Sequence, residues 1–241
     1  MQHMILNESV QQKLIRHHRE NMALFNLAEE YELMEIAEED DMVMCRFRSD
    51  EAWCHFSHST TTGFLERTLN KTREDAFIVL SNTEVFTWLK GHSGLAWHIT
   101  CIRLFMDHSV SVKLSPLVGE LSPGDLPLVY ENSDYQQFLC MDYLYKRLIL
   151  GGGYCVRINH HPVAWVMTHD DGSVGMLHVL NAHRGKGYAR ALVMAMASKV
   201  QKKGREVFAH IVPDNRPSLK LFTSLGFTPC CEVSWALTAN Y

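Results

Sequence analysis

Apolar side chains at Val10, Leu14, Ile15, Met22 and Leu24 recur at helical spacing among Lys and Arg, which predicts an amphipathic helix over residues 8–24. Strand-like runs follow at 42–47 and 52–56, then a helix at 61–70, a buried strand at 76–80, a short helix at 83–90 and a strand at 98–105. Pro116, Gly119, Pro123, Gly124 and Pro127 then crowd together, and this shift in composition sets an expected domain boundary near residue 112. Past it the pattern predicts helices at 122–130 and 135–150 and a hairpin of strands 154–158 and 163–168. The turn Asp170-Asp171-Gly172 leads into a strand at 174–180. A long helix at 187–203, a strand at 207–212, a helix at 217–225 and a strand at 232–237 close the chain. The reading is α/β, as a smaller N-terminal domain (1–112) followed by a second domain (113–241).

Composition narrows the picture. The 241 residues are 46% hydrophobic and 21% charged, ordinary values that exclude disordered and collagen-like chains. Net charge is 23 − 27 = −4, which argues against a globally basic nucleic-acid binder. No apolar run approaches the ~20 residues needed to cross a bilayer, and the first ten residues lack the layout of a secretory signal. A soluble, cytoplasmic protein with no membrane partner is expected. The seven cysteines are odd in number and form no CxxC pair, which points to reduced thiols. The fourteen histidines contain no HExxH, and His17–His18 and His160–His161 are adjacent, so no metal site is expected. Eight acidic residues and no basic one lie between Glu29 and Asp41. They read as a solvated helix face with an acidic turn, or as a partner-binding surface. Gly151-Gly152-Gly153 follows a helix and precedes a strand, the reverse of a phosphate loop, and reads as a helix stop.

Candidate chemistry is concentrated between residues 174 and 227. A strand ends at Val179–Leu180, the segment Arg184-Gly185-Lys186-Gly187-Tyr188-Ala189 follows, and a helix begins at once. Small residues let a ligand approach the backbone, and the free amides of a first helical turn suit a pyrophosphate. Arg184, Lys186, Arg190, Lys199, Lys202, Lys203 and Arg205 add local positive charge in an acidic chain. Alone, this loop is also compatible with a glycine turn before a core helix.

One strand further on lies Asn215-x-x-Ser218-x-x-Leu221-Phe222-x-x-x-Gly226-Phe227. Together the two elements resemble the GNAT acetyltransferase superfamily, over slightly more than half the chain. The loop resembles its coenzyme A pyrophosphate loop. The second segment resembles its Asn-x-x-Ala-x-x-Leu-Tyr-x-x-x-Gly-Phe helix, with Ser218 in the Ala and Phe222 in the Tyr position. The Arg184-Gly185-Lys186-Gly187 loop, and Phe208-Ala209-His210 with Asn215 five residues on, are most similar to the glycine N-acyltransferase-like, FR47-like branch.

The resemblance implies a C-terminal GNAT fold with a mixed, splayed central sheet, and an N-terminal half that is a degenerate relative of that fold. It implies acyl transfer, most simply from acetyl-CoA, to a primary amine of a small molecule or amino acid. The alternatives are peptide or protein N-terminal acetylation, and a non-catalytic acyl-CoA-binding module. Leu177, Val179, Leu180, Arg184, Gly185, Lys186, Gly187, Tyr188, Ala189, Asn215, Ser218 and Phe222 are the implied cofactor contacts. Among them, the Val179 amide would meet the thioester oxygen. His210 and His178 are the candidate bases, because imidazole titrates near neutrality. Phe222 has no proton to give a leaving thiolate, and Ser173 stands where glycine acyltransferase relatives carry a carboxylate. Asp125 and Asp134 are candidates to line an acceptor pocket, against a surface role. The expected assembly is a monomer or homodimer.

Overall fold

A computed structural model describes residues 6–49, 53–72, 77–107, 109–110 and 115–238. The expected boundary near residue 112 falls on 111–114, outside the described residues. The chain divides into two compact units, one of residues 1–103, 211–214 and 230–241, the other of 104–210 and 215–229.

The first unit opens with α1 (Glu8–Ile15) and α2 (Met22–Glu30), two helices where the periodicity predicted one. The buried Asn21 explains the break. Its side-chain amide donates to the Leu14 carbonyl at 2.9 Å, which a continuing helix would have used, and its oxygen accepts the His58 amide at 2.8 Å. The acidic run is likewise not a helix followed by a turn. It ends α2, forms β1 (Leu33–Glu39) and turns at Asp40 into β2 (Met42–Phe47) as an antiparallel hairpin. Its carboxylates pair with cations: Glu38 with Lys13 (2.8 Å), Glu32 with Arg48 (2.8 Å), Glu39 with Arg67 (2.5 Å), and Asp41 with Arg16. The unit continues through β3 (Cys54–Phe56), α3 (Thr62–Thr72), β4 (Phe77–Leu80), α4 (Thr83–His92) and β5 (Leu95–Met106). Phe56, Phe64, Leu65, Ile78, Leu80 and Leu89 form its core.

The second unit adds a short strand that the pattern did not predict, β6 (Val118–Glu120). There follow α5 (Leu126–Glu131), α6 (Met141–Leu150), β7 (Gly153–Ile158), β8 (His161–Thr168) and β9 (Val174–Val179). The β7–β8 hairpin turns through Asn159 and His160, both at positive φ, as a two-residue primed turn requires. The chain then runs through α7 (Tyr188–Lys202), β10 (Phe208–Ile211), α8 (Arg216–Ser224) and β11 (Phe227–Thr238). Leu192, Val193, Met196 and Val200 form the buried face of α7, which packs on β7, β8 and β9. The glycine triplet is the C-terminal stop of α6. The Gly151 and Gly152 amides donate to the Arg147 carbonyl (2.8 and 3.2 Å), and a Cβ on Gly152 would sit 1.8 Å from Lys199 Nζ.

Two sheets result, with strand orders β1-β2-β3-β4-β11-β5-β10 and β6-β7-β8-β9. The two series α1-α2-β1-β2-β3-α3-β4-α4-β5 and α5-α6-β7-β8-β9-α7-β10-α8-β11 repeat one order of elements.

Candidate active site

β9 and β10 are the end strands of different sheets, and among the described residues no ladder joins them. The corresponding strands of the first series, β3 and β4, do pair in parallel, with Cys54 opposite Ile78 and His55 opposite Val79. One half is therefore laced shut where the other is parted.

The parted edge of β9 is irregular. Against β8, Trp165 faces His178 while Met167 faces Gly175, so β9 carries one extra residue in that interval. Met176 lies there at φ 47°, a left-handed conformation that costs a non-glycine residue about 1–2 kcal/mol. Beyond the bulge the Leu180 amide donates to the Val163 carbonyl at 2.9 Å. Alternate pairs of an antiparallel ladder are not hydrogen-bonded, so Val179, opposite Ala164, turns its amide and carbonyl away from β8. Its carbonyl accepts Arg184 Nε at 3.1 Å, and its amide faces the open edge.

Between β9 and α7 the exposed loop holds Gly185 at φ 76° and Gly187 at φ 79°. A Cβ at either glycine would meet nothing within 4 Å. Gly187 is the N-cap of α7, and no side chain caps the helix. The Ala191 amide makes the first intrahelical bond, to the Gly187 carbonyl at 3.1 Å, which leaves the first-turn amides facing out with the positive end of the helix dipole. The first half lacks this arrangement: at the start of α3 the Thr61 hydroxyl accepts the Phe64 amide at 3.3 Å. The cradle beside Gly185–Ala189 suits an anion such as a pyrophosphate.

The remaining sequence candidates fall into distinct settings. Asn215 caps α8, accepting the Ser218 amide at 3.1 Å, and stays exposed. Leu177 and Leu180 are half-buried on the open strand and its end. Phe222 is 3% exposed and edge-on to Phe227 at 4.9 Å, so it packs in the core. Asp125 is structural: it closes the Ser122 capping box and pairs with Arg157. Asp134 is exposed, and its charge reaches His178.

The two histidines differ. His178 stacks on the buried Trp165, with ring centroids 4.9 Å apart at 13°. Burial first, then the Arg184 guanidinium, lowers its pKa, opposed by Asp134. His210 on β10 presents Nδ1 to Asp171 Oδ2 at 3.4 Å, with both side chains 8% exposed. Burial works against the Asp171 charge, but His210, His169 and hydrogen bonding from Ser173 hold its carboxyl down to about 2. In the sequence Asp171 reads as a turn residue; its partner lies on β10, beyond β9 and α7, and no local spacing signals the pairing. Among the described residues no group of three or more His, Cys, Asp or Glu side chains could hold a metal ion, and no helix is long and apolar enough to cross a membrane.

Residues 153–236 match the family model described as FR47-like protein. The whole chain is similar to several solved structures. A Drosophila protein aligns with a TM-score of 0.80 at 14% identity, over 96% of each chain. A GCN5-related N-acetyltransferase from Kribbella flavida aligns at 0.59 and 12% identity, over 98% of this chain and 97% of that one. A tandem GNAT protein from the clavulanic acid biosynthesis pathway aligns at 0.53 and 13% identity, over 99% of this chain and 98% of that one. At these identities the likeness carries the fold.

Proposed function

We propose that the protein is an acyl-CoA-dependent N-acyltransferase of the GNAT superfamily, a reading supported by the match of residues 153–236 to the FR47-like model. On this reading it moves an acetyl group from acetyl-CoA to a primary amine of a small molecule or amino acid. The observation that carries it is the uncapped N-terminus of α7, with its open glycine cradle, beside the unladdered edge of β9.

Bound acyl-CoA would supply an activated thioester. The amides from Gly185 to Ala189 hold its pyrophosphate, with Arg184 and Lys186 adding charge. Asn215 contacts the pantetheine arm or orders the loop beside it. The Val179 amide donates to the thioester oxygen as negative charge develops there, a contribution that can reach ~3 kcal/mol. His210 takes the proton that the attacking amine must lose. Phe222 offers no acid, but a thiol whose pKa is about 8.5 leaves as thiolate without one.

A thermal-shift titration with CoA, acetyl-CoA and benzoyl-CoA tests this reading, followed by thiol release with glycine and phenethylamine as amine probes. Ligand at 100 times its Kd stabilises the fold by about 2.7 kcal/mol, so a clear shift with acetyl-CoA is expected. No shift with any of the three compounds would overturn the reading. The burial of Phe222 favours a second one, a module that binds acyl-CoA without turnover; a shift with no thiol release would support that instead.

A further inference from the structure

We propose that Asp171 is the positioning residue for His210, fixing the imidazole so that Nε2 is the nitrogen that receives the amine proton. This inference rests on the acyl-transfer reading and adds a residue to its machinery.

The Asp171 carboxylate is immobilised by its own turn before it meets His210. Its Oδ1 accepts the Ser173 amide at 2.9 Å, and its amide donates to Asp170 Oδ1 at 3.0 Å. The turn is closed by the His169 amide donating to the Ser173 carbonyl (2.9 Å) and the Gly172 amide to the His169 carbonyl (3.0 Å). That leaves Oδ2 facing His210 Nδ1 at 3.4 Å, a length that catalytic pairs show before substrate tightens them. A carboxylate held ionised beside Nδ1 favours the tautomer that carries its proton there, and the lone pair falls to Nε2. Phe208, edge-on to the His210 ring at 5.5 Å, limits its rotation. The pair also bridges the parted strands, since Asp171 belongs to the turn entering β9 and His210 to β10. Among the described residues, ionisable groups whose charge acts on this cluster include His169 and Asp170 of the same turn and Arg147 of α6.

The step balances without an added reactant. The amine nitrogen bonds to the thioester carbonyl carbon, the C–S bond breaks with its electrons on sulfur, and the amine proton goes to His210 Nε2. From there it passes to the thiolate or to solvent. Asp171 keeps its charge throughout and never takes the proton.

The test begins with long-range ¹H–¹⁵N spectra of the imidazoles in the wild-type protein, with His210 assigned by its loss in His210→Gln. The expected result is a His210 signal of the Nδ1–H tautomer that shifts toward Nε2–H in Asp171→Asn. With acetyl-CoA and the amine probes, Asp171→Asn lowers kcat about 100-fold while the KM for acetyl-CoA and the thermal shift with CoA stay unchanged. Loss of the carboxylate removes a partner of the imidazolium, so the acidic limb of the kcat/KM profile moves to lower pH. An Nε2–H tautomer in the wild type overturns the proposal even if the variant fails to fold. So does an Asp171→Asn enzyme with wild-type kcat and pH profile, or one that loses melting temperature alone, as a mere strut would. Failure of CoA to shift the wild type strikes the acyltransferase reading instead and leaves the tautomer result standing on its own.

Discussion

Replacing Gly187 by Ala separates what the cradle does for the fold from what it does for a ligand. Gly187 sits at φ 79° at the start of α7, and Gly204 sits at φ 74° just past its end. A Cβ at either position meets nothing within 4 Å. The two substitutions therefore impose the same strain without a clash. A left-handed Ala costs about 1–2 kcal/mol, of which the stiffer unfolded chain returns part. About 1 kcal/mol remains, or a melting temperature lower by about 2–4 °C in a protein of this size. The variants diverge at the first-turn amides. In Gly187→Ala the new methyl occupies the space from which an anion would reach them, and one lost charge-assisted hydrogen bond is worth about 1.5–3 kcal/mol. The Kd for CoA, read by titration calorimetry, should rise roughly 10- to 100-fold, while Gly204→Ala binds CoA as the wild type does. Equal affinity in the two variants, whether both weakened or both unchanged, would refute the assignment of the cradle.

Two further outcomes concern the buried charges behind the site. Arg147 is fully buried and donates from Nε and Nη2 to the Thr168 carbonyl (3.2 Å) and hydroxyl (2.9 Å). Arg147→Met removes these donors and the cation beside Asp170, and should cost about 3 kcal/mol in urea unfolding; a loss under 1 kcal/mol would show that the cluster relaxes without it. Burial, followed by the Asp171 charge, raises the Asp170 carboxyl to about 6 against the pull of Arg147. Because this folded-state value lies above the unfolded one, its contribution to stability is full below about pH 4 and is lost as pH rises through 6. Asp170→Asn keeps the acceptor for the Asp171 amide, so it should match the wild type at pH 4 and melt higher at pH 7.5, which a pH series of melting curves would check.

The features legible in the sequence are those set by neighbours along the chain. The strand–loop–helix unit around Arg184–Ala189 was readable because its glycines and the apolar face of α7 lie within one short window. The β7–β8 hairpin is legible for the same reason, although its turn spans Asn159 and His160 where the pattern predicts a connection over 159–162. What escaped depends on partners far along the chain. Residues 16–21 break a helix that the periodicity continues, because Asn21 finds Leu14 and His58. The glutamates of β1 make a poor strand by propensity, yet Glu35, Glu38 and Glu39 are paired with Arg46 of β2, Lys13 of α1 and Arg67 of α3. Asp171 looked like a turn residue, and a turn residue it is; its second oxygen acquires meaning when β10 brings His210 opposite.

The repeated order of elements gives the deeper reason why the second half carries the candidate site. In the first half three of the corresponding places have protein partners. β3 and β4 share a parallel ladder, the Thr61 hydroxyl faces the first turn of α3, and Asn82 accepts the Glu84 and Val85 amides at the start of α4. Among the described residues, the second half has the last of these devices, in Asn215, and not the other two. A bulged edge strand, a non-glycine residue at positive φ and an uncapped fifteen-residue helix each cost stability. The first half also carries a bulge, in its edge strand β1, and a non-glycine residue at positive φ, Asp40, so it is the missing β9–β10 ladder and the uncapped start of α7 that set the described residues of the second half apart. Donors that a fold could have satisfied itself and did not are open to a ligand, and these converge on the segment from Val179 to Ala189. The acyl-CoA reading accounts for both departures, the missing ladder and the uncapped helix, with one occupant.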